Sequence, residues 1–127
     1  MGIRLALGAC SCASYARTGN VHLRELCNRI IARMSALSAL PGEELRRLPA
    51  ETHEYERIDS RRVSFATYRS MQSKEAALVV VQGFLPSWRF PRYFGPLGVG
   101  FIVAEGLLVS DANQHVPATD DLLWDYR

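Results

Sequence analysis

At 127 residues the chain is long enough for one domain whose core needs no disulfide or structural metal. Apolar residues make up 48% and charged residues 22%, the balance of an ordinary globular protein, which excludes disorder of the whole chain. A net charge of +2 is too small to imply nucleic acid, and the basic set, fourteen Arg to one Lys, fits a GC-rich coding sequence. Charge is nonetheless uneven. Residues 1–50 carry seven Arg against Glu25, Glu43 and Glu44, a net of +4, which leaves −2 for the remainder.

Residues 1–19 are rich in Gly, Ala, Ser and Cys and show no apolar period. They read as a flexible tail, with residues 20–127 forming a single α+β domain. Leu7-Gly8-Ala9-Cys10 resembles a bacterial lipoprotein cleavage site, but the apolar stretch before it is shorter than the roughly 7–15 residues of an export signal.

The first strong element begins at Asn20, a good N-cap. Leu23, Leu26, Cys27, Ile30, Ile31, Met34 and Leu37 recur at helical spacing and fall in one arc of the wheel. Pro41-Gly42 ends this helix near Leu40. Residues 43–48 add a short turn of helix before Pro49. The period then changes to that of strands: a charged edge strand over 52–59, an alternating strand over 62–70, and a central strand over 76–85. The last is apolar on both faces. A long loop over 86–98 follows, then a strand over 99–104. Residues 107–110 either extend it past a bulge at Gly106 or pair with it as a hairpin. Thr119 caps a short closing helix, with Asp120 and Asp121 in its first turn, where the dipole favours acids. Helix, run of strands, short helix, joined by short connections: the expected fold is α+β. A long N-terminal helix packs on an antiparallel four- to five-stranded meander sheet, and a short C-terminal helix closes it.

No catalytic signature emerges. His53-Glu54 begins like a zinc-protease motif, but Arg57 stands where the second His is needed. Ser110, Asp111 and His115 lie close in sequence without a nucleophile elbow. Gly95, Gly98 and Gly100 lead into a strand, whereas phosphate cradles open a helix. Cys10, Cys12, His22 and Cys27 lack zinc spacing, and Cys27 lies in the apolar arc while His22 projects aside, so no metal and no cofactor are expected. Three cysteines, an odd number, point to a reducing compartment, and the expected location is cytoplasmic. The longest apolar run, 94–109, is interrupted by Pro96 and Glu105, so no membrane partner is expected. Glu105, inside that run, is a candidate acid or base alongside His53 and His115, since apolar surroundings favour a protonated carboxyl.

The best signal is the loop over 86–98. It concentrates Trp88, Phe90, Tyr93 and Phe94 with Arg89, Arg92 and three prolines. Aromatic rings with Arg are the composition of protein-binding hot spots and of base-stacking surfaces. The alternative is a lid whose rings fold into the core. The expected function is a non-catalytic interaction domain, self-associating as a dimer through this loop or an exposed sheet face, or holding another protein partner. Single-stranded nucleic acid is the disfavoured alternative, because the strand half is net acidic. A small-molecule enzyme using Glu105 or a His is the third reading.

Overall fold

The computed structural model describes residues 12–15, 19–89 and 91–127. Helices α1 (Cys12–Tyr15), α2 (Val21–Ser38) and α3 (Gly42–Arg46) come first. Strands β1 (Glu51–Ile58), β2 (Arg61–Met71), β3 (Ala77–Pro86), β4 (Tyr93–Gly95), β5 (Gly98–Val109) and β6 (His115–Pro117) follow. Helix α4 (Asp120–Leu123) and a 3₁₀ turn over Trp124–Tyr126 close the chain. The fold is α+β, as the order of periodicities predicts.

Asn20 caps α2: its Oδ1 accepts the Leu23 amide at 3.1 Å, satisfying a donor that the first turn leaves unpaired. Leu23, Leu26, Cys27 and Ile30 form the buried stripe, with Met34 and Leu37 half-buried. Ile31 belongs to the predicted arc but lies at its margin and is 51% exposed.

The sheet is antiparallel throughout, in the order β1-β2-β3-β5-β4, with β6 also on β5. β3 is central and buried from Ala77 to Leu85, as its two-sided apolar run requires. Two readings of the sequence need revision. The loop over 86–98 is not wholly irregular: Tyr93–Gly95 pairs with the first residues of β5 through a two-residue turn at Pro96 and Leu97. And β5 runs unbroken past Gly106, which sits in register opposite Val80. A Cβ at Gly106 would come within 2.7 Å of Leu123 and 2.9 Å of Ala118, so glycine here admits the C-terminal segment rather than marking a bulge.

α2 covers the first face of the sheet, over Val63, Phe65, Val81, Leu85, Phe101 and Val103. Gly83 lets it approach closely, since a Cβ there would lie 2.9 Å from Ile30 and 3.0 Å from Leu26. The described part of the first 19 residues, α1, also packs here: Cys12 and Tyr15 are buried in this cluster.

The second face is covered too. Leu123, with Leu122 and Tyr126, packs over Leu78, Val80 and Ala104, and Tyr93 packs over Phe84 and Ile102. The closing helix is as short as its sequence suggests, but the chain around it is pinned across the strands. Ala118 N donates to Gly106 O at 2.9 Å, Gln82 Nε2 to Tyr126 O at 2.6 Å and Arg127 Nε to Ala104 O at 3.2 Å. A second copy of the chain is therefore not required to bury this face. Among the described residues no helix is long and apolar enough to cross a membrane.

Candidate binding surface at one end of the sheet

Because the sheet is antiparallel, β1 ends, β2 begins, β3 ends and β5 begins at the same edge of the molecule. The residues after β3 are anchored there. Ser87 N donates to Val99 O at 3.0 Å and Arg92 N to Gly100 O at 2.9 Å. The Ser87 hydroxyl, itself buried, accepts the Arg89 amide at 3.3 Å.

This anchoring divides the candidate residues. Tyr93 points inward, 6% exposed, its ring edge-to-face with Phe84 at 5.8 Å. Trp88 points outward at 88% exposure, and Phe94 and Leu97 are also exposed, as are Arg89 and Arg92. Phe90 lies outside the described residues. The segment is thus a lid at Tyr93 and an open surface at Trp88.

Sequence reading missed what the register adds. The β1–β2 turn at Asp59 and Ser60 sits at the same edge and brings Arg57, Arg61 and Arg62, all exposed. Asp59 adopts a φ of 56°, a left-handed conformation that Asp tolerates better than most residues and that a tight hairpin needs. Arg61 Nη1 donates to the Pro86 carbonyl at 3.1 Å, joining this turn to the base of the loop. Arg62 lies 4.1 Å above the ring of Tyr55, which is 62% exposed, and Arg57 stands opposite Arg62 on the same face. A pairing table built from the turn at 59–60 would have found this neighbourhood.

The nearby acids are engaged elsewhere. Glu56 binds Arg29 at 2.7 Å and Arg33, and Asp59 binds His22 at 2.9 Å. Arg33, ahead of Arg29, holds the Glu56 carboxyl below the usual carboxylate range. The edge therefore carries five exposed Arg, while Glu51, Glu75 and Asp111 lie toward the opposite end of the sheet.

The other candidates do not converge. Glu105, on the first face of β5, accepts the Cys12 amide at 2.8 Å and lies 4.0 Å from Arg127 Nη2, so its carboxylate ties α1 and the C-terminus to the sheet. His53 stands edge-to-face with Tyr68 on the second face, and His115 Nε2 contacts Leu40 O at 2.9 Å. Ser110 Oγ accepts the Gln114 amide and Asp111 accepts from Ser73, so these side chains form no triad.

The Cys12 thiol lies against Cys27, donating to its carbonyl at 3.7 Å. The neighbouring Cys27 side chain, ahead of burial, pushes Cys12 up, while Cys12 holds Cys27 below the ordinary thiol value against the opposing effect of burial. An open cavity of about 360 Å³ adjoins this pair, beside Tyr15, Arg24, Asn28 and Ile31. Cys10 lies outside the described residues, and no cluster of three or more potential ligands occurs among the described ones. No family model matches the chain, and no curated protein or solved structure matches it either.

Proposed function

We propose that the chain is a non-catalytic binding domain whose working surface is the loop-bearing edge of the sheet. The observation that carries this reading is Trp88. A tryptophan left 88% exposed contributes almost nothing to the core. It stands on a loop stiffened by prolines and fixed by backbone bonds at both ends. The backbone that carries the ring is therefore held in place before any contact, so little of its freedom remains to be lost on binding. Exposed Phe94 and Leu97 belong to the same segment, and exposed arginines supply the usual polar companions of an aromatic hot spot.

Self-association is expected, where it occurs, through this edge and not through the second face. The test is a comparison of Trp88→Ala with the unaltered chain by native mass spectrometry and thermal melting. An assembly with a second copy or another molecule that disappears in Trp88→Ala at an unchanged melting temperature supports the reading. An assembly that persists in the variant overturns it.

A further inference from the structure

We infer that the partner of this edge is a single-stranded nucleic acid, its phosphates held by Arg57, Arg61, Arg62 and Arg89 and its bases stacked on Trp88 and Tyr55. The inference rests on the reading of the edge as a binding surface and names the partner's chemistry.

Charge is the first argument. Elsewhere in the molecule Arg29, Arg33, Arg47 and Arg127 each have a carboxylate within 4.0 Å, and Arg46 and Arg69, which have none, donate to backbone carbonyls instead. At this edge Arg57, Arg61, Arg62 and Arg89 have none among the described residues. Four guanidinium groups at one end of the sheet without a carboxylate partner repel, and a polyanion relieves that repulsion by releasing its own condensed cations. The net acidity of residues 51–127 argues against nucleic acid only as a sum. In three dimensions Glu54 and Glu56 are bound to arginines of α2 and Asp59, the one acid in the β1–β2 turn, to His22, while Glu51, Glu75 and Asp111 lie toward the opposite end of the sheet.

Shape is the second argument. Tyr55 presents a ring already stacked by Arg62 at 4.1 Å, and Trp88 presents an open one. Aromatic faces of this kind accept any base. Guanidinium groups on rings keep their N–H edges free for phosphate. The two rings are separated: Tyr55 is on β1, while Trp88 follows β3 and adjoins β5, strands in the order β1-β2-β3-β5. With strands about 4.8 Å apart, the track from β1 to β5 spans roughly 14 Å. That is room for several nucleotides of an extended strand. A lipid surface would be met better by apolar side chains gathered in one wedge, and a duplex by a helix end for its groove. This edge offers two rings on different strands, and the helix end that reaches it, the first turn of α2, is tied to the β1–β2 turn through His22 and Asp59.

The test is fluorescence anisotropy of a labelled oligothymidylate of about 15 nucleotides, a length at the upper end of single-module sites. The full chain is titrated between about 50 and 200 mM KCl. Three to five neutralised phosphates give a log K against log salt slope of about −2 to −3.5. Trp88→Ala is expected to weaken binding at least about 5-fold with the slope unchanged. The double variant Arg57→Ala/Arg62→Ala is expected to flatten the slope by about 1.4. No binding to oligothymidylate or oligouridylate at the lowest salt overturns the inference. So does a duplex bound as tightly as the single strand. Binding to phosphatidylserine vesicles without binding to either oligonucleotide also overturns it, and leaves the edge standing as a contact surface. Oligonucleotide binding that all three substitutions leave intact places the partner elsewhere and removes both readings.

Discussion

Arg61 reaches across the end of the sheet and donates from Nη1 to the Pro86 carbonyl oxygen, 3.1 Å away. The bond links two turns that are 25 residues apart in sequence. It is why the arginines of the β1–β2 turn and the aromatic residues after β3 share one surface. Neither segment alone has the composition of a binding edge.

The division of the loop between Trp88 and Tyr93 can be measured as stability. Tyr93 is packed on Phe84 and Ile102, so Tyr93→Ala removes a buried ring and is expected to cost about 3 kcal/mol. Trp88→Ala removes an exposed one and is expected to change stability by less than about 0.5 kcal/mol. Urea unfolding of both variants decides the matter; equal losses would show that Trp88 is part of the core.

A second prediction concerns the first 19 residues. Their composition suggests a segment that folding can spare. Yet Tyr15 is 5% exposed and meets Phe101 edge-to-face at 6.0 Å, and the Cys12 amide is bonded to Glu105. A chain starting at Gly19 uncovers Phe101 and leaves Glu105 without that donor. A loss of about 3 kcal/mol is expected, equivalent to roughly 10 °C in melting temperature for a domain of this size. A shift of only a degree or two would mean that α1 contributes nothing to the core.

Glu56 makes a pH-dependent prediction. Arg33 and then Arg29 lower its pKa in the folded protein. The stabilisation is therefore complete above the unfolded value of about 4.3 and is lost as pH falls through the lower folded value. The carboxylate is about a third exposed, at 32%, so solvent screens the pair. Glu56→Gln is expected to cost about 1 kcal/mol at neutral pH. Urea midpoints at about pH 7 and pH 3 check this: the gap between variant and parent should shrink in acid. A gap that stays constant would assign the loss to packing rather than charge.

Much of the fold was legible because its periods are clean. The apolar arc of α2, the alternation of Val63 and Phe65, and the two-sided run of β3 each permit one reading. What was not legible depends on register and long-range contact. Tyr93-Phe94-Gly95 is too short for a period and becomes a strand only by pairing with β5. Gly106 looks like a break until Leu123 is placed beside it. Cys12 and Cys27 have no spacing that announces a pair; α1 and α2 bring them together. At the candidate surface Trp88, Arg89, Arg92 and Phe94 could be read from one segment. Tyr55, Arg57, Arg61 and Arg62 required knowing which strand ends meet.

The second face gives the last prediction. Leu78, Val80 and Ala104 are 2%, 0% and 0% exposed because the C-terminal segment lies over them. Gln82 depends on the same segment: its Nε2 donates to Tyr126 O at 2.6 Å, and its Oε1 accepts from Tyr68 at 3.4 Å. Removing residues 119–127 would strip Leu122, Leu123 and Tyr126 from the sheet and expose three apolar side chains of the central strands together. The middle of β5 would also lose the cover of Arg127, whose Nε occupies the Ala104 carbonyl. An uncovered apolar face beside an open strand edge is a template for association. The shortened chain is expected to form dimers or larger species by sedimentation equilibrium at micromolar concentration. The further change Leu78→Lys should reduce that association by placing a charge on the exposed face. A shortened chain that stays monomeric at about 14 kDa or less with an unchanged melting temperature would show that the segment is not what keeps this face from water.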